Sequence, residues 1–88
     1  MSWVCKFDRR ALRELNKLDP QSKQQIIAYL EERIETKEDP RRFGKALKAK
    51  LVGLWRYRVG NYRIICRIVD NELIVLILAV GHRKTIYE

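Results

Sequence analysis

The feature that most constrains the fold is a change of hydrophobic period partway along the 88-residue chain. In the first part, apolar residues recur about every 3.6 positions, as on one face of a helix, whereas from Leu51 onward they recur about every second position, as in a strand. The dipeptide Gly60-Asn61 interrupts the second part and is typical of a tight β-hairpin turn. The sequence therefore predicts helices first and an antiparallel sheet after them.

Two capped helices are predicted behind a short strand at residues 3–7. Asp8 is placed to cap the first helix, and Asp19-Pro20 supplies a cap and an N-terminal proline for the second. The apolar faces comprise Ala11, Leu12, Leu15 and Leu18 in the first helix and Ile26, Ile27, Leu30 and Ile34 in the second. A polar loop at residues 36–44, which is broken by a proline, separates this helical hairpin from the strands.

Three strands are predicted at residues 51–59, from Tyr62 onward, and at residues 73–80. The last is apolar throughout, which is typical of a central strand. We expect an α+β fold with the order β-α-α-β-β-β, in which the N-terminal strand and the two-helix hairpin pack on one face of a twisted, mainly antiparallel sheet. The length indicates a single domain over residues 1–88.

The hairpin turn fixes which residues share a face of the sheet. Val59 is predicted opposite Tyr62, and Arg58 opposite Arg63. The helix-facing side then holds Leu51, Trp55, Tyr57, Val59, Tyr62, Ile64, Cys66 and Ile68, and the open side holds Arg56, Arg58, Arg63, Arg67 and, by continued alternation, His82. Opposed arginines repel each other, so this face indicates a site for an anion. The alternative is a solvated face on which the arginines splay apart.

The charge balance favours a polyanionic partner. Nineteen basic against eleven acidic residues give a formal charge of +8 and a pI near 9.9, as in many nucleic-acid-binding domains. Lys45, Lys48 and Lys50 would extend the basic surface toward RNA, or would simply be solubilising lysines.

The two cysteines, Cys5 and Cys66, have neither the spacing of a metal site nor the number of a disulfide framework, and we interpret both as buried apolar residues. No secretion signal and no apolar stretch long enough for a membrane is present in the sequence. We therefore expect a reduced, cytoplasmic protein without a metal or cofactor.

The stretch from Gly81 to Tyr87 follows the apolar strand and holds His82, Arg83 and Tyr87. Imidazole titrates near neutral pH, guanidinium stays charged and a phenol can exchange a proton, so the segment carries the groups needed for acid-base chemistry on a phosphate. The alternatives are a turn histidine bonded to backbone and a frayed terminal tyrosine.

Two ordered motifs carry a resemblance to a known family. The run Leu54-Trp55-Arg56-Tyr57-Arg58-Val59-Gly60-Asn61-Tyr62-Arg63-Ile64-Ile65, followed after one strand by Val80-Gly81-His82-Arg83-Lys84-Thr85-Ile86-Tyr87, closely resembles the RelE family of toxin-antitoxin systems. The resemblance covers nearly the whole chain. It implies a ribosome-dependent endoribonuclease that binds in the ribosomal A site, in contact with 16S rRNA, and cuts mRNA there. A RelB-like antitoxin is expected to hold it inactive.

The resemblance also implies roles for individual residues. Arg63 and Arg83 match family positions that stabilise the charged transition state without a metal, and Tyr87 and His82 are candidates for proton transfer. Arg56 and Arg58 stand where the best-studied branch has lysines. Because arginine does not deprotonate near neutral pH, these two residues can hold phosphate but cannot act as the general base.

Two rival functions remain open. ParE toxins share the expected architecture but poison DNA gyrase without cutting RNA, and the presence of His82, Arg83 and Tyr87 argues against that branch. A non-catalytic RNA- or ribosome-binding module would keep the arginine face but would be indifferent to loss of Tyr87 or His82.

Overall fold

The computed structural model describes residues 1–82, within which the chain forms two α-helices and a five-stranded sheet. The elements are β1 (Val4–Phe7), α1 (Arg9–Asn16), α2 (Pro20–Tyr29), β2 (Lys45–Ala46), β3 (Trp55–Val59), β4 (Tyr62–Val69) and β5 (Ile74–His82). The strand order is β1-β5-β4-β3-β2, with β1 parallel to β5 and all other neighbours antiparallel. This confirms the α+β prediction and the central place of the last strand. The N-terminal strand, which was expected to pack on one face of the sheet, is instead an edge strand within it, because β1 pairs with β5.

Both helices begin where the sequence predicts. The Asp8 carboxylate accepts a hydrogen bond of 2.8 Å from the backbone N–H of Ala11, and Asp19 accepts one of 3.0 Å from Ser22. Each carboxylate satisfies an amide that the helix itself cannot pair. α2 then continues into a π-helical turn at Leu30–Ile34, which extends its apolar face. No helix within residues 1–82 is long and apolar enough to cross a membrane.

The main core lies between the helical hairpin and one face of the sheet, as predicted. Its fully buried members include Ala11, Ile26, Tyr57, Ile64 and Ile77. Cys66 is also completely buried there and Cys5 is half-buried. Burial raises the pKa of each thiol from 9.0 to about 12.

A smaller apolar cluster lies on the opposite face of the sheet. Leu47, Ile65 and Ala79 are buried there, and Leu51 and Leu54 pack against them. The prediction that Leu51 shares the helix-facing side was therefore wrong. β3 begins only at Trp55, and Ala49–Leu51 form a 3-10 turn, so strand alternation does not extend back to Leu51.

A β-bulge changes the alternation within β5. Ile65 pairs with Ala79, but the next residue of β4, Cys66, pairs with Ile77, which leaves Leu78 as an extra residue. Beyond the bulge every side chain of β5 changes face, so Val80 joins the main core whereas Ala79 joins the smaller cluster. The bulge therefore decides which face the end of β5 presents.

Candidate nucleic-acid interface

Arg58 and Arg63 stand directly opposite each other on β3 and β4, as predicted. Gly60 makes this register possible because its φ of +59° suits the tight turn between the strands, a conformation that glycine adopts without steric cost. Arg58 is exposed and Arg63 is half-buried. The side chains of Arg58 and Arg63 are therefore cross-strand neighbours on the face of the sheet opposite the helices.

Arg56 lies on the same face but is buried, with 8% of its surface exposed. We expected it on an open surface, and this expectation was wrong. β2 pairs Lys45 with Arg56 and Ala46 with Trp55, so this short edge strand, which the sequence did not predict, lies beside Arg56. The Nε atoms of Arg56 and Arg63 are both screened from solvent. A guanidinium held in a partly desolvated position interacts more strongly with an anion than a fully hydrated one does.

A small groove of about 190 Å³ opens between β3 and the segment before β2. Its walls are formed by Phe43, Gly44, Lys45, Arg56 and Arg58. Three of these five residues are cationic and none is acidic, so the groove has the charge and the hydrogen-bond donors to hold phosphate oxygens. We call it the arginine groove.

Contacts within the core position the wall of the arginine groove. A Cβ added at Gly44 would lie 2.9 Å from the Arg56 carbonyl oxygen and 3.0 Å from the Tyr57 ring, so only glycine lets the chain pass this close to β3. The buried Tyr57 hydroxyl donates a 2.8 Å hydrogen bond to the Pro40 carbonyl oxygen. Burial raises the pKa of this phenol well above its ordinary value, so Tyr57 acts as a fixed donor.

An ion pair fixes the same segment to the sheet. The Arg41 guanidinium binds both carboxylate oxygens of Asp70, at 3.0 and 2.6 Å, in the turn between β4 and β5. It also lies 5.9 Å from the centre of the Trp55 ring. The hydrogen bond from Arg41 lowers the pKa of the Asp70 carboxyl below its ordinary value. The charge of Arg41 is thus neutralised within the fold, where it holds the segment in place.

His82 lies on the helix-facing side of the sheet, not on the arginine side that strand alternation predicted. The bulge at Leu78 is the physical reason, because it shifts the alternation by one residue. His82 pairs with Tyr62, and their rings meet edge to face at a centroid distance of 5.7 Å. Gly81 takes the position opposite Arg63.

The remaining predicted site residues divide into two groups. Lys48 and Lys50 are exposed on the loop that covers the smaller apolar cluster, so they border the arginine face. Arg83 and Tyr87 lie outside the described residues.

Within residues 1–82, no three histidine, cysteine or acidic side chains come together in a way that could hold a metal ion.

Phe43 was not predicted as a site residue, although it lies in a short basic-aromatic run, Arg41-Arg42-Phe43, in the predicted polar loop. Phe43 is 38% exposed and lines the arginine groove. The guanidinium carbons of Arg42 and Arg33 lie 4.7 and 5.6 Å from the centre of its ring. An exposed ring among cations is a feature of surfaces that bind single-stranded nucleic acid.

The chain is similar in sequence to known proteins. The family model described as the ParE toxin of the type II toxin-antitoxin system parDE matches residues 5–87. Toxin RelG of Mycobacterium tuberculosis is 34% identical over 87 residues, which cover 99% of this chain and 98% of RelG. The mRNA interferase toxin RelE of Escherichia coli is 28% identical over 89 residues, which cover 96% of this chain and 86% of that protein.

A solved structure agrees in fold as well as in sequence. A chain of the toxin-antitoxin complex RelBE2 from Mycobacterium tuberculosis is 32% identical and superposes with a TM-score of 0.85, covering 94% of this chain and 100% of its own length. The architecture of two helices on a mixed sheet is therefore common to the two proteins.

Proposed function

The chain belongs to the RelE/ParE superfamily of type II toxins, and we propose that it is a ribosome-dependent mRNA endoribonuclease that cuts A-site codons and so inhibits translation. The observation that carries the proposal is the cluster of Arg56, Arg58 and Arg63 on one face of the sheet, with two Nε atoms screened from solvent. Relatives named mRNA interferases support the same activity.

The proposed reaction needs neither metal nor cofactor. The ribose 2'-oxygen forms a bond to the adjacent phosphorus and the bond from phosphorus to the 5'-oxygen breaks, leaving a 2',3'-cyclic phosphate and a 5'-hydroxyl. Negative charge develops on the phosphate oxygens during this step. Arg63 and Arg83 stabilise that charge, and Arg56 and Arg58 hold the phosphate in place.

The group that transfers the proton is proposed by excluding the residues that cannot accept one. The groove arginines cannot accept a proton near neutral pH, so they are not the base. Tyr87, His82 or a group of the 16S rRNA takes the 2'-hydroxyl proton and returns one to the 5'-oxygen. The His82 ring packs against Tyr62 on the helix-facing side, so it would have to reach around the end of β5 to contact a phosphate bound at Arg63. We therefore favour Tyr87 or the ribosome as the group that transfers the proton.

The partners follow from the same proposal. Lys45, Lys48 and Lys50 add salt-dependent affinity for the phosphates of mRNA and rRNA. A RelB-like antitoxin holds the toxin inactive, as the toxin-antitoxin complexes among its structural neighbours support. A ribosomal target implies that the protein acts in the cytoplasm.

Inhibition of DNA gyrase is the second candidate, because the matching family model is that of ParE toxins. In that case the arginine face binds a protein or DNA and no RNA is cut. The presence of Arg63, His82, Arg83 and Tyr87 favours the nuclease.

The two functions separate in one set of assays. The toxin is added to a reconstituted translation system and to ribosome-free message, and RNA 5' ends and 3' termini are analysed. The nuclease predicts A-site cuts with 2',3'-cyclic phosphate termini that need both the ribosome and Arg83, so Arg83→Ala abolishes them. Intact mRNA together with inhibition of gyrase supercoiling would overturn the proposal in favour of the ParE activity.

A further inference from the structure

We propose that Phe43 is a stacking platform for a base of single-stranded RNA, placed so that the neighbouring phosphate enters the arginine groove. This inference rests on the proposed function and adds a substrate-binding position to it. Phe43 lines the groove together with Lys45, Arg56 and Arg58, so an aromatic residue and cations that could bind phosphate adjoin each other. A nucleotide presents the same combination of a flat base and a charged phosphate.

Exposure of Phe43 supports this role. A phenylalanine normally gains free energy by burial, yet 38% of this residue remains exposed beside a polar groove. The other aromatic residues of the region behave differently, since Tyr57 is completely buried and Trp55 packs against the main core. Phe43 is therefore the most exposed of these three aromatic residues.

The charges around Phe43 favour RNA over an apolar protein ligand. Arg42 and Arg33 lie close to the ring, and within residues 1–82 neither forms a salt bridge with a carboxylate. Arg41, by contrast, is paired with Asp70. Two guanidinium groups beside the ring can therefore stack on a base or bind the flanking phosphates, whereas an apolar protein segment would leave both unused.

The position of the platform is fixed before any ligand binds. Phe43 ends the turn Pro40–Phe43, which begins at Asp39, whose carboxylate accepts a 2.9 Å hydrogen bond from the Arg41 amide. The bonds from Tyr57 to Pro40 and from Arg41 to Asp70 hold the same turn against β3 and against the turn that follows β4. Little conformational entropy is therefore lost when a base stacks on the ring.

Binding of an uncleavable RNA tests the inference apart from cleavage. The full-length protein is titrated against a fluorescein-labelled single-stranded RNA that carries 2'-O-methyl groups, and Kd is measured over a range of salt concentrations. Phe43→Leu and Phe43→Met remove the ring, Phe43→Trp and Phe43→Tyr retain one, and Leu12→Ala removes another exposed apolar side chain, on α1. Circular dichroism verifies that each variant is folded.

We expect the variants without the ring to bind about tenfold more weakly, with an unchanged slope of log Kd against log salt concentration, because stacking releases no counterions. Phe43→Trp, Phe43→Tyr and Leu12→Ala should bind like wild type. Unchanged affinity of folded Phe43→Leu or Phe43→Met, a smaller salt slope in these variants, or no binding by wild type would each overturn the inference. A protein that binds RNA through Phe43 but cuts no mRNA would overturn the proposed nuclease instead.

Discussion

Arg58 and Arg63 face each other across the β3–β4 hairpin, so two like charges occupy one cross-strand position. Such a pair destabilises a sheet unless an anion lies between the charges or the side chains splay into solvent. The pair lies beside a groove whose lining residues include no acid. The relationship links stability and the proposed binding, because any change that relieves the repulsion also removes a proposed phosphate ligand.

Replacing Arg58 should therefore affect stability and RNA binding in opposite directions. We expect Arg58→Gln to leave the free energy of unfolding unchanged or to raise it by up to about 1 kcal/mol. The same variant should lower the salt slope of RNA binding by about 0.7 for each phosphate that Arg58 neutralises. Urea unfolding and a salt titration measure the two effects. A less stable variant with an unchanged salt slope would contradict the assignment.

Gly44→Ala should displace the wall of the arginine groove. The backbone at Gly44, with φ of −107°, suits any residue, so the cost comes from the contacts of the new methyl group with Arg56 and Tyr57. We expect stability to fall by about 1 to 3 kcal/mol and RNA binding to weaken with it. Urea unfolding and titration with the uncleavable RNA measure the two effects.

Gly53→Ala is the matched control for that displacement. Gly53 has open space around it but a φ of +95°, so alanine strains the backbone without touching the groove. It should lower stability and leave RNA affinity at the wild-type value. Equal loss of affinity in both variants would show that general destabilisation, not groove geometry, reduces binding.

The Arg41–Asp70 ion pair should make a pH-dependent contribution to stability. The hydrogen bond from Arg41 lowers the pKa of folded Asp70 below the ordinary value of 3.8, so the stabilisation is fully present above that pH and is lost as the pH falls through the folded pKa. Asp70→Asn should therefore be less stable than wild type at pH 7, with the difference narrowing as the pH falls below 3.8. Glu72→Gln, in the same turn, is the control. A difference that did not shrink at any pH below 3.8 would exclude the charge interaction as its source.

The two cysteines should be unreactive in the folded protein. Burial raises the pKa of Cys5 and Cys66 to about 12, so almost no thiolate is present at pH 8. This contribution to stability is complete below about pH 9 and is lost as the pH rises toward 12, because the unfolded thiols ionise first. Mass spectrometry after treatment with a thiol reagent should find both cysteines unmodified at pH 8 and both modified in denaturant. Rapid modification of the native protein would contradict the burial.

Much of the fold follows from local signals in the sequence. Asp8, Asp19 and Pro20 identify both helix starts, and Gly60-Asn61 fixes the register that opposes Arg58 and Arg63. Helix starts and tight hairpin turns depend on neighbouring residues alone, so they can be predicted from a sequence pattern.

The sequence predictions differ from the structure where tertiary contacts, and not neighbouring residues, decide the conformation. Nothing around Leu78 marks it as an extra residue, because every residue of β5 before Gly81 is apolar and alternation is invisible there, so the face of His82 could not be predicted. Arg56 is buried next to β2, a two-residue strand too short to produce a pattern. Phe43 joins the site only because Gly44 lets its loop pass close to β3.

The most direct test of the proposed active site compares the rates at which the Arg63→Ala and Arg67→Ala variants cut mRNA. Both arginines lie on the face of β4 opposite the helices, but Arg63 faces Arg58 whereas Arg67, four residues further along the strand, pairs with Leu76. We predict that Arg67→Ala cuts mRNA at A-site codons as wild type does in a reconstituted translation system, and that folded Arg63→Ala is slower by about 100-fold or more. If folded Arg63→Ala cut mRNA at the wild-type rate, the arginine cluster would not be the active site.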